Sequence, residues 1–112
     1  MRKLSTLLFT SFFAFASYGQ LSGDIVKDNR KMISDQSYII DGHINGKLVF
    51  NISVDIEGKV TSVKVLDSES TIKSTPAKLK AQRYVSEFIF SPGTWYPKHH
   101  QGKVVITMVK PK

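Results

Sequence analysis

No cysteine occurs among the 112 residues, so disulfides are excluded, and with them any lipid anchor built on a modified cysteine. A chain of about 90 residues can still bury enough core to stand without such cross-links. Long apolar runs are missing too. The longest, Leu4 to Tyr18, falls short of the roughly 20 residues a spanning helix needs, and Ser5, Thr6, Thr10, Ser11 and Ser17 dilute it. Histidine is scarce, and no proline-rich or serine-rich linker, internal repeat or low-complexity tract is present. Nor is there a basic block with interleaved aromatics, so nucleic acid is not an expected partner.

What is present begins with an address. Arg2 and Lys3 precede the apolar run, and small residues follow at Ser17 and Gly19. A basic start, a short apolar centre and small residues at that spacing describe a secretory signal peptide over residues 1–19, cleaved after Gly19. An uncleaved membrane anchor is the alternative. Export to the periplasm or beyond the cell is therefore expected. The chain has 16 basic and 9 acidic residues; without Arg2 and Lys3 the balance is 14 against 9, a net charge of +5. Lys47, Lys59, Lys64, Lys73 and Lys103 are spread singly, as solvated faces require. The competing reading is attraction to an anionic partner.

Residues 20–36 form a polar arm or short helix in which Ile25, Met32 and Ile33 make one weak apolar stripe. Residues 37–112 form a single domain. Leu48, Phe50, Ile52 and Val54 alternate with more polar neighbours, which predicts a half-buried strand. Asp55-Ile56-Glu57-Gly58 is a tight turn, with Gly58 supplying positive φ. The return strand runs from Val60 to Leu66 and faces Thr61, Val63 and Val65 inward. A lone hairpin is not stable in water, so something must cover its apolar face. Residues 76–89 supply the cover: Thr75 as N-cap, Pro76 at the first position, and Ala77, Ala81, Tyr84, Val85 and Phe88 as a helical stripe. Ser91-Pro92-Gly93 stops the helix. Lys103 to Val109 is the last strand, apolar on both faces. The fold class is α+β: a small, mostly antiparallel sheet with one amphipathic helix on one face, in the order β-β-α-β. The sheet has three strands, or four if residues 38–44 also pair.

Gly46-x-x-x-Phe50, then Val54-Asp55-x-x-Gly58-x-Val60, Val63 and Val65, then Phe90-Ser91-Pro92-Gly93 and Gly102-Lys103-Val104-x-Ile106 follow one another in order. This sequence of motifs resembles the TonB C-terminal domain family. The resemblance implies the periplasmic end of an energy transducer, which grips an extended segment of an outer-membrane transporter by adding it to a sheet edge. It places that edge on Lys103 to Val109, since an edge strand offers unpaired N–H and C=O groups to a guest. Partner contacts are then expected from Lys103, Val105, Thr107 and Val109, and from the aromatic pair Trp95 and Tyr96 in the preceding loop. The opposing reading folds Trp95 back onto the core. Two features depart from the family. The leader runs almost directly into the domain without a membrane helix and proline-rich spacer, and KMISDQSYIIDGH stands where a Tyr-Pro segment is usual. Energy transduction by this chain alone is therefore not expected. A self-associating envelope protein, pairing last strand with last strand, is the alternative, and binding to an anionic polymer is a third reading.

Catalysis has little to stand on. Asp67, Ser68, Glu69 and Ser70 read as a polar turn, and Ser53 with Asp55 has no histidine within sequence reach. His99 and His100 are adjacent, and neighbours on extended chain point apart, so they and His43 are read as surface residues and not as a metal site. Asn51-Ile52-Ser53 matches a glycosylation sequon but falls mid-strand. The expectation is a non-catalytic chain without cofactor or metal. N-terminal sequencing of the exported protein should give Gln20 as its first residue; recovery of intact Met1 from the envelope fraction would refute cleavage.

Overall fold

The computed structural model describes residues 20–111, and the expected leader lies outside them. The hairpin is the frame. Strand β3 (Gly46–Val54) is antiparallel to β4 (Val60–Val65), and Leu48, Phe50, Ile52 and Val54 are fully buried on the face that alternation predicts. Asp55 Oδ1 accepts from the N–H groups of Glu57 at 3.0 Å and Lys59 at 2.9 Å, while Gly58 takes φ 89°. One register detail departs from expectation. Ser53 pairs with Ser62 but Val54 pairs with Val60, so Thr61 is a bulge residue. It is exposed and donates to the Ser53 carbonyl at 3.2 Å. Val60 joins Val63 and Val65 against the core in its place.

Helix α2 (Thr75–Ser86) covers that face with Ala77, Ala81 and Val85 buried. Its N-cap is Ser74, not Thr75: the Ser74 hydroxyl accepts from the Ala77 N–H at 3.4 Å. The helix also stops short of residue 89. Ile89 and Phe90 are drawn into extended pairing with Lys59 and Met32, and this pairing overrides the helical period that Phe88 continues. Phe88 is still fully buried, with Tyr38 and Tyr84 edge-on to its ring at 6.0 and 5.6 Å.

The largest correction concerns the last strand. Strand β5 (His100–Val109) lies inside the sheet. It pairs antiparallel with β3 from Gly46↔Met108 to Val54↔His100. Its other rim is covered twice, by β1 (Leu21–Ser22), antiparallel with Leu21 opposite Val104, and by β2 (Ile39–Asp41), parallel with Ile39 opposite Thr107. The order is β1-β5-β3-β4 with β2 also beside β5, a five-stranded sheet where three or four strands were expected. Residues 103–109 are not a free edge. β2 is the optional fourth strand of residues 38–44, whereas β1 is an addition from the arm: two residues are too short to write an alternating pattern, which is why the arm reads as merely polar.

The arm is part of the core. Helix α1 (Asp24–Lys27) is a single turn whose Ile25 is fully buried. Gly102 makes room for it: a Cβ there would stand 2.7 Å from Ile25 Cδ1. Asn29, at φ 61°, turns the chain after α1, so Ile25, Met32 and Ile33 do not share one helical face. Met32 packs against the core while Ile33 is exposed. Among the described residues no helix is long and apolar enough to cross a membrane. Ile25→Ala should destabilise the protein by about 2–4 kcal/mol, read from urea unfolding, while Lys27→Ala stays within about 0.5 kcal/mol. A loss near zero for Ile25→Ala would mean the arm is not built into the core.

Candidate functional site

The six residues expected to meet a partner are not brought together as one rim. Lys103, Val105, Thr107 and Val109 lie along the sheet face away from α2, within a strand paired on both sides. Lys103 is further engaged by Glu69, with Nζ to Oε1 at 2.9 Å. Trp95 is 77% exposed, so it does not fold back onto the core. It lies over Gly93 and leans on Tyr96, with ring centroids 5.5 Å apart. Tyr96 is half-buried and structural: it stacks on His100 at 5.3 Å and lies 4.2 Å beneath the Arg30 guanidinium.

Sequence reasoning missed the cluster to which Tyr96 belongs. Arg30 is 2% exposed and His100 1%, although the first falls in a segment that reads as a polar arm and the second reads as a surface residue. Arg30 Nε donates to the Ser91 carbonyl at 2.8 Å, Nη2 to the Asp55 carbonyl at 2.6 Å, and Nη1 to His100 Nδ1 at 3.1 Å. A guanidinium only donates, so Nδ1 is the acceptor and Nε2 carries the proton that goes to Asp28 Oδ2 at 2.7 Å. Burial lowers the pKa of Arg30 from its ordinary value, and neighbouring Tyr96 and Asp55 oppose that shift. An Asp–His pair is a familiar part of proton relays, but here the lone pair of the imidazole faces a cation and no hydroxyl or thiol. The cluster therefore acts as a clamp, tying the arm, the β3–β4 turn, the 91–96 loop and the start of β5 together. The Asp-Asn-Arg triplet after a short helical turn is its only trace in the sequence.

The open rim of the sheet belongs to β4. The Leu66 N–H bonds the Val49 carbonyl at 2.7 Å, and with the observed register this assigns the inward ladder bonds to Lys64 opposite Asn51 and Ser62 opposite Ser53. Val63 and Val65 consequently turn their N–H and C=O groups outward. Gln82 Nε2 reaches the Val63 carbonyl at 3.2 Å; the two outward N–H groups remain on the rim. Between this rim and α2 runs a groove of about 340 Å³, walled by residues 60–63 on one side and by Leu79, Gln82, Arg83 and Ser86 on the other. Leu79 is 54% exposed there, the largest departure from the helix's apolar-in pattern. Beyond the Val65 end, Lys78 pairs with Asp67 at 2.7 Å and holds that carboxyl below the usual carboxylate range, through the hydrogen bond first and its charge second.

Among the described residues no group of three or more histidines and carboxylates is placed to hold a metal ion. His43 and His99 are exposed, and His43 Nε2 meets the Ser74 hydroxyl at 3.2 Å. No protein-family model matches the chain, and neither a curated protein nor a solved structure does. The two adjacent histidines should behave oppositely. His100→Ala leaves a buried Arg30 donor unpaired and should cost about 1–3 kcal/mol, whereas His99→Ala should stay within about 0.5 kcal/mol. Equal urea midpoints for the two variants would remove the clamp from the account.

Proposed function

We propose that the chain is an exported, non-catalytic protein-interaction module, related to the TonB C-terminal domain, that binds an extended protein segment by strand addition. The order β3-β4-α2-β5 is that of the family named by its motifs, and the leader-like start supports an envelope location. The last strand, paired along both rims, is not where a guest joins in this arrangement. The observation that carries the reading is the outward N–H row of β4, which stands beside a groove with an exposed leucine on its wall. Backbone groups there supply affinity, and the groove supplies side-chain selection. An extended segment of an outer-membrane transporter is the partner that the family relationship suggests.

Val63→Pro tests the rim. Val63 sends its N–H outward, so proline removes the donor that a guest's carbonyl would use without breaking an inward ladder bond, as edge positions allow. Lys64→Pro instead removes a bond to β3. Titrated with peptides from transporter N-terminal segments and followed by NMR, the native protein should show new exchange protection at the Val63 and Val65 amides. Val63→Pro should lose binding yet stay folded, and Lys64→Pro should unfold. Binding that survives Val63→Pro would refute addition at β4. Sedimentation of the protein alone tests the self-pairing alternative.

A further inference from the structure

From the charges flanking the β4 rim we infer the kind of segment it takes: an acidic one, with carboxylates on both faces of the added strand. This rests on the strand-addition reading. A guest beside β4 stands about 4.8 Å further out, with side chains alternating between the two faces of the sheet. On the helix side its neighbours are Leu79 and Arg83; on the open side they are Ser62 and Lys64. Both cations are free of ion pairs among the described residues, whereas Lys78 is held by Asp67 and Lys103 by Glu69. No carboxylate lines the groove. The rim thus carries one unpaired positive charge above the sheet plane and one below it, on either side of the outward N–H row.

That arrangement sorts guests. An extended strand with an apolar residue for Leu79 and an acidic residue two positions along, beside Arg83, places a third and intervening side chain over Lys64. Acidic residues at both positions meet opposite charge across the strand pair, while lysines there meet like charge. A neutral strand gains only the backbone bonds and the Leu79 contact. The net charge of +5 for residues 20–112, from 14 basic and 9 acidic residues, favours the same partner at longer range.

The experiment uses the purified protein and three fluorescent octapeptides built on a central Val-Glu-Glu, Val-Ser-Ser or Val-Lys-Lys triplet, whose first and third side chains share one face and whose second takes the other, read by anisotropy. The glutamate peptide should bind tightest and the lysine peptide weakest. Arg83→Ala and Lys64→Ala should each weaken the glutamate peptide about two- to fivefold, with little effect on the serine peptide. Arg83→Glu should favour the lysine peptide. Added salt should narrow the spread. Equal affinity for glutamate and lysine peptides overturns the acidic partner and leaves strand addition standing. Binding of none of the three overturns both. Glutamate-peptide binding that survives Val63→Pro is charge attraction without a shared ladder and likewise overturns the inference.

Discussion

A strand whose core face is buried has to satisfy its backbone on both rims, and in this chain that obligation falls on β5. Val104, Ile106 and Met108 are fully buried beneath it, so water cannot reach the ladder freely, and an orphaned N–H there costs about 1–3 kcal/mol. β3 satisfies one rim for its whole length. The other is completed by β1 from the arm and by β2 from the start of the domain, one antiparallel and the other parallel to β5. Everything that looks peripheral follows from this: Ile25 sinks into the core over Gly102, Asn29 turns the chain back, and Arg30 bridges to His100 at the mouth of the strand.

The hairpin, its turn and the helix were legible because each writes a period. Alternation over Leu48 to Val54 and the Asp55–Gly58 turn translate directly, and the apolar spacing from Ala77 to Val85 does the same for α2. The arm was not legible. Two residues at Leu21–Ser22 cannot show a period of two, Ile39–Asp41 reads only as an optional fourth strand, and the buried Arg30 and His100 look like surface residues until their partners, up to 72 positions away, are known. The family resemblance erred for the same reason. It placed an edge where this chain supplies its own cover, and β2, one half of that cover, lies in the segment that differs from the family's usual lead-in.

With β5 enclosed, the edge problem moves to β4, and that edge is only partly blunted. The bulge at Thr61 twists its start, Lys64 discourages casual pairing, and Gln82 occupies the Val63 carbonyl. Two outward N–H groups, an exposed leucine and two unpaired cations remain. The same features that protect against pairing with arbitrary strands make a selective filter for one that carries the opposite charge.

The position of β5 after every other described element has a bearing on how the protein is made. It touches β1, β2 and β3, yet among the described elements it is the last in chain order. Until it arrives, the arm has no ladder to join and β3 has an open side, so only the β3–β4 hairpin can pair. A polypeptide arranged in this way leaves most of its sheet unformed during synthesis and closes it in one late event once β5 is available.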